Sequence, residues 1–121
     1  MKLIIAGSRT ISKYHAFFLF LIWFKDKFFD KEFDELVTGC CEKGPDQIPF
    51  MLDDLSNTPY KIKKFPADWD KFGNSAGPRR NKEMAEYADE LLVIWDGKSR
   101  GSRNMIKEMK KLRKPVHEII I

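Results

Sequence analysis

Glu90-Leu91-Leu92-Val93-Ile94-Trp95, followed at once by Asp96-Gly97-Lys98-Ser99-Arg100-Gly101-Ser102, is the stretch that decides the fold. A short unbroken apolar run that stops at turn residues reads as a strand covered on both faces, the signature of a parallel sheet. Four further runs share that form: residues 3–6 ending at Gly7, 33–38 ending at Gly39, 60–65 with lysines interrupting it, and 116–121. Between them lie helical patterns. Ile48, Met51, Leu52 and Leu55 repeat at i, i+3, i+4, i+7, with Pro45 suited to a first helical position. Met84, Ala85 and Ala88 share a face behind Pro78, and Met105, Ile106, Met109 and Leu112 do so after Gly101, with Pro115 at the exit.

The order is therefore β-α-β-α-β-α-β-α-β. Strict alternation predicts an α/β, Rossmann-like three-layer fold with a five-stranded parallel sheet. Such sheets place a ligand outside the carboxyl ends of the strands, where the winding reverses. The loops after the first and fourth strands are the ones to inspect.

The first helix, over residues 12–31, departs from the usual amphipathic pattern. Phe17, Phe18, Leu19, Phe20, Leu21, Ile22, Trp23 and Phe24 circle it completely. Part of that surface must face something besides its own sheet, either further core or a second subunit. We expect a homodimer or larger homo-oligomer through this helix.

Composition narrows the function classes. The 121 residues suit a single domain, 1–121, and 43% hydrophobic with 33% charged residues is globular. The net charge of +4 is spread out. Its one dense cluster, Lys110, Lys111, Arg113 and Lys114, sits where the last helix ends, where cations complement the dipole in a solvated turn; an anionic partner is the alternative. The apolar run at residues 16–24 is far short of the roughly 20 residues needed to span a bilayer, and it lies behind a strand pattern, unlike a signal peptide. No membrane association is expected. Cys40 and Cys41 are adjacent without a CxxC, so both read as reduced thiols of a cytoplasmic protein. His15 and His117 are too far apart to suggest a metal cluster, and no cofactor is implied.

Candidate site residues come from the loops. Gly7-Ser8-Arg9-Thr10 offers close backbone approach, hydroxyls and a guanidinium fork for phosphate, or is simply a structural turn. Asp96, Gly97, Ser99, Arg100, Gly101 and Ser102 precede or open a helix, the ingredients of a phosphate cradle; the plainer reading makes Ser99 or Ser102 an N-cap. No P-loop is present, because its upstream glycine would fall on Leu92. Gly39 opens a third loop, in which Asp46 is able either to meet a ribose hydroxyl or to complement a helix dipole. Residues 67–81 form a long polar connection holding Asp68, Trp69, Arg80 and Asn81. Trp69 suits a base-stacking platform or a lid on the core. Arg79 and Arg80 oppose the dipole at a helix start, so they call for an anion, or else for solvation or pairing with Asp68, Asp70 or Glu83.

Taken in order, Gly7-Ser8-Arg9, residues 39–46, Phe65-Pro66-Ala67-Asp68-Trp69, residues 76–84, Ala88-Asp89 and residues 95–102 resemble the YspA/YpsA-related branch of the SLOG superfamily, relatives of the Lonely Guy phosphoribohydrolases. The resemblance spans nearly the whole chain, the first helix being more aromatic than the family pattern. It implies binding, sensing or processing of nucleotides and nucleotide-derived ligands. Arg80, Met84, Ala88 and Asp89 match the first half of the Lonely Guy pattern, and Gly101 and Ser102 the Gly-Thr of the second. The family's catalytic glutamate falls on Met105. A thioether cannot relay a proton, so the resemblance carries phosphate binding but not cleavage by that mechanism.

The leading expectation is a module that senses or sequesters a nucleotide or NAD-derived ligand, of ADP-ribose type. A hydrolase using Asp68, Asp89 or Asp96 in place of the glutamate is the second reading, and a single-stranded nucleic-acid binder the third.

Overall fold

The computed structural model describes residues 1–29, 33–56 and 60–121. The expected end of the first helix at Lys31 falls outside these, as does the side chain of Leu55. Five strands, β1 (Lys2–Gly7), β2 (Glu35–Thr38), β3 (Lys61–Lys64), β4 (Glu90–Trp95) and β5 (Val116–Ile120), form one sheet in the order β3-β2-β1-β4-β5. Every pairing is parallel. The helices are α1 (Lys13–Phe29), α2 (Ile48–Ser56), a one-turn α3 (Trp69–Phe72), α4 (Ala76–Tyr87) and α5 (Arg100–Lys111). This is the expected Rossmann-like three-layer architecture, and its winding reverses between β1 and β4.

The period-2 alternation of strand side chains divides the core into two sets. Leu3, Ile5, Leu36, Leu92 and Ile94 face α1 and α2, packing on Phe17, Phe20, Phe24, Ile48 and Leu52. Ile4, Ala6, Val37, Leu91, Val93 and Trp95 face α4 and α5, packing on Met84, Ala85, Met105, Ile106 and Met109. All six residues of β4 are buried, which is why its sequence lacks polar alternation. Burial of each large side chain contributes about 1.5–3 kcal/mol. The lysines of β3 have the opposite effect: that strand is an edge, and Lys61, Lys63 and Lys64 are exposed along it. Charged side chains there oppose pairing with another chain.

Local details differ from the sequence reading. Pro45 lies in a short 3-10 turn, Gly44–Gln47, and α2 starts only at Ile48. Pro78 is the third residue of α4, not the first. Residues 67–81 are no open loop, because α3 and a second 3-10 turn, Gly73–Ser75, carry the chain into α4. Leu112 caps α5 and is exposed, so its place in the periodic pattern does not bury it.

The basic cluster at the end of α5 is not uniformly solvated either. Lys114 reaches across to α4, where its ammonium donates to the Ala85 and Ala88 carbonyls, each at 2.7 Å, and to that of Glu86 at 3.2 Å. A cation thereby satisfies the last turn of a neighbouring helix, whose carbonyls have no intrahelical partner. Lys114→Met should therefore lower unfolding stability by about 1.5–3 kcal/mol in urea melts, the scale of charge-assisted bonds. Lys107→Met, on the exposed face of α5, should shift it by no more than about 0.5 kcal/mol.

Candidate functional site

The carboxyl edge of the sheet gathers four loops and two helix starts. At its centre is Ser8, 2% exposed. Its hydroxyl accepts from the Asp96 amide and donates to Ser99 Oγ, both at 3.1 Å, while its own amide bonds the Ile94 carbonyl. The loops after β1 and β4 thus converge as expected, with the Ser8 hydroxyl engaged as their brace. Gly7 has a similar explanation. A Cβ there would collide with the Ile94 carbonyl oxygen and the Pro45 ring, so its bareness serves close packing of the chain on itself.

Asp96 organises the next turn. Its Oδ1 accepts from the Lys98 and Ser99 amides, each at 2.8 Å. These two amide bonds hold its carboxyl below the usual carboxylate range. Gly97 follows at φ 78°, and the chain then enters α5.

The start of α5 is bare of ordinary caps. Ser99 occupies the N-cap position with an extended backbone, but its side chain makes no capping bond, and no acidic residue lies in the first turn. Arg100 and Gly101 are exposed, and nothing approaches within 4 Å of where a Gly101 side chain would begin. Ser102 is inside the helix, 4% exposed, and its hydroxyl has no hydrogen-bond partner among the described residues. An unsatisfied buried hydroxyl costs about 1–3 kcal/mol.

Arg80 and Asn81 reach this edge from α4. Asn81, 5% exposed, donates to the Gly101 carbonyl at 3.3 Å and to Asn104 Oδ1 at 2.9 Å, fixing α4 against the first turns of α5. Arg80 gives Nε to Asn81 Oδ1 and Nη1 to the carbonyls of Gly39 and Phe65. The guanidinium fills the space that a side chain at Gly39 would need. Carbonyl oxygens thus supply part of the negative charge that its position demands, and neither arginine pairs with Asp68, Asp70 or Glu83. Arg79 instead bonds Ser75 Oγ at 3.1 Å and lies 4.4 Å over the Phe72 ring. Nη2 of Arg80 has no bond among the described residues.

Asp46 is 7% exposed, beneath the loop after β2. Its carboxylate accepts from the Cys41 amide at 3.0 Å, and its carbonyl accepts from Thr38 Oγ1 at 2.7 Å. Burial pushes its carboxyl up to about 6, against the Cys41 amide and the nearby Arg80, which act in the opposite sense. It is an internal support of the loop. Both cysteines are free thiols, and Cys40 adopts φ 65°, its amide bonded to Thr38 Oγ1 at 3.1 Å. Burial raises the Cys40 thiol above its ordinary value.

Asp68 caps α3, accepting from the Lys71 amide at 3.1 Å. Trp69 is 56% exposed, its indole edge 3.2 Å from the position a Gly77 side chain would take. It is therefore no lid on the core; Gly77, which its edge touches, lies about one turn of α4 before Arg80. Asp89 lies elsewhere: its Oδ2 accepts from the Lys2 amide at 2.8 Å, at the amino edge of the sheet. Met105 is 1% exposed in the core. Among the described residues no cluster of three or more metal-ligating side chains occurs, and no helix is long and apolar enough to cross a membrane.

Thr38, Gln47 and Asn104 went unremarked in the sequence, yet each orders this edge. Gln47 donates to the Cys41 carbonyl, and Asn104 receives Asn81. Only Thr38, last residue of a strand before a glycine, carried a positional signal. No family model, curated protein or solved structure matches the chain.

Asp46 makes the support measurable. Its ordinary value is 3.8. Between about pH 4 and pH 6 the folded chain keeps a proton that the unfolded chain has released, so stability falls as pH rises through that window. Relative to Asp46→Asn, which retains an acceptor for the Cys41 amide, the native chain should lose on the order of 3 kcal/mol from pH 4 to pH 7. Denaturant melts at several pH values measure this; parallel curves for the two proteins would contradict it.

Proposed function

We propose that the chain binds a small nucleotide-type ligand, with its phosphate at the start of α5, as a sensing or sequestering module. The observation that carries this reading is the uncapped first turn of α5, with Gly101 open around it. Helix amides without partners, together with the dipole, favour an anion there. The Arg100 side chain makes no hydrogen bond or ion pair among the described residues, and Nη2 of Arg80 adds a donor from α4. Trp69, exposed and touching Gly77 with its indole edge, offers an aromatic surface on which a base stacks. A nucleotide or NAD-derived compound of ADP-ribose type combines those chemistries.

Three carboxylates considered for hydrolysis favour binding instead. Asp68 and Asp96 are occupied by backbone amides within their own turns, and Asp89 is at the other edge of the sheet. Calorimetry with a panel of nucleoside phosphates and NAD-type compounds tests the reading. Arg100→Ala should weaken affinity by about 1.5–3 kcal/mol while leaving the melting temperature unchanged. Arg80→Ala should lower both, because it also frees the Gly39 and Phe65 carbonyls. Affinity untouched by either change would remove the site, and release of free base from any of these compounds would replace binding by hydrolysis.

We also infer that α1 joins two copies of the chain. Tyr14, Phe18, Leu21 and Ile22 are 70%, 61%, 43% and 52% exposed. Their spacing of i, i+4, i+7, i+8 makes one apolar stripe, which two copies packed about a twofold axis would bury. Light scattering should give a dimer mass for the native chain and a monomer mass for Phe18→Glu. A monomeric native chain would refute the interface.

A further inference from the structure

The binding proposed above leaves the buried carboxyl of Asp46 aside, yet a short series of contacts joins it to the start of α5. Asp46 Oδ2 lies 3.1 Å from where a Gly39 Cβ would stand, and the Arg80 guanidinium lies closer still to that point. Glycine at 39 thus leaves the space in which the two groups meet. They are within about 6 Å of each other, the range over which opposite charges couple, although they form no direct ion pair. From Arg80 the contacts run on: Nε donates to Asn81 Oδ1 at 2.9 Å, and Asn81 Nδ2 donates to the Gly101 carbonyl in the first turn of α5 at 3.3 Å.

The Asp46 carboxylate accepts one hydrogen bond, from the Cys41 amide at 3.0 Å, and the residue is 7% exposed. A carboxylate so little compensated resists ionisation, and burial pushes this one up to about 6. Arg80 is the charged side chain that acts on it. The other titratable or charged groups around its turn are Cys40, Cys41, Glu42 and Lys43 on the same loop and Lys64 at the end of β3. Arg9, Lys13 and His15 come from the loop after β1 and from α1, which packs on that turn. None of these side chains bonds the Asp46 carboxylate.

We propose that proton uptake at Asp46 regulates the α5 site, which holds its anion more tightly when Asp46 is protonated. With Asp46 ionised, its charge offsets that of Arg80, and the pair presents little net charge to an incoming anion. With Asp46 protonated, the guanidinium charge is uncompensated and reaches the ligand through Nη2, which has no bond among the described residues. At a separation on the order of 10 Å, one unit of charge at a partly screened protein edge alters anion affinity about three- to tenfold. The influence is mutual, so a bound anion raises the pH at which Asp46 releases its proton. This inference rests on the phosphate site proposed above and adds its regulation: mild acid loads the module, and a neutral medium unloads it.

Sulfate keeps its charge from about pH 5 to about pH 7.5 and serves as the probe, with amide shifts of residues 100–102 followed by NMR at constant ionic strength. At the higher pH, Asp46→Asn should bind sulfate at least threefold more tightly than the native chain, and at the lower pH the two should converge. The comparison isolates Asp46 from the histidines, which titrate in both proteins. A second measurement needs no variant: the Asp46 carboxyl carbon of the native chain should titrate about half a pH unit higher, or more, with saturating sulfate than without it. Equal affinities of the two proteins at the higher pH, or an Asp46 titration that sulfate does not move, overturn the regulation and leave the proposed function standing. Sulfate that perturbs residues 100–102 at neither pH removes the α5 site and the regulation together.

Discussion

Two parallel strands that lie side by side while their connections leave in opposite directions must separate at their carboxyl ends. In this chain the Ser8 hydroxyl spans that separation, accepting from the Asp96 amide and donating to Ser99 Oγ. With Ser8 in place, the Asp96 turn is fixed, and that turn sets where α5 begins. The direction of the α5 dipole, the exposure of Gly101 and the burial of Ser102 all depend on this one small side chain. A hydroxyl is suited to the task because it donates and accepts at once within a buried space.

Around that brace the other loops are tied by carbonyl acceptors more than by ion pairs. Arg80 joins the ends of β2 and β3, Lys114 closes α4, and Asn81 links α4 to α5. A charge bonded to carbonyls is worth about 1.5–3 kcal/mol, whereas an exposed ion pair such as Lys111 with Glu108 contributes about 0–1 kcal/mol. The ion pairs among the described residues lie at the N-terminus, on α5 and between His117 and Glu90, none of them at the carboxyl edge of the sheet. Cations there bond neutral oxygens of backbone and side chains or remain uncommitted, while the nearby carboxylates of Asp46, Asp68 and Asp96 accept from backbone amides.

Much of the architecture was legible because two periodicities with different physical origins alternate along the chain. Fully buried strands such as β4 lose their polar residues, whereas helices covering one face keep theirs at intervals, and the eye separates the two. The loops that the winding brings together could likewise be named in advance. What could not be read was the partner of each polar side chain. Ser8 looked like a ligand donor and braces two loops; Asp46 looked like a ribose ligand or a helix-dipole partner and is a buried support of its loop; Lys114 looked solvated and caps another helix. Each outcome depends on what a distant segment places within 3 Å, and a linear pattern holds no such information. The helix at residues 69–72 escaped for a different reason. It is a single turn with no buried residue, so it leaves no apolar period behind.

Asp46 is the one acid at this edge whose value is shifted towards neutrality, and it is the natural suspect if the chain were to do acid–base chemistry. Geometry argues against that use. Its carboxylate is buried, one oxygen receives the Cys41 amide, and its backbone carbonyl is held by Thr38, so neither the side chain nor its loop is free to approach a sugar. A general acid must come within hydrogen-bonding reach of the leaving atom. For Asp46 to do so the loop after β2 would have to release Arg80 from the Gly39 carbonyl as well, breaking a charge-assisted bond and exposing a buried carboxyl together. The same shift that marks a catalytic group elsewhere is here the cost of using a carboxylate as an internal support.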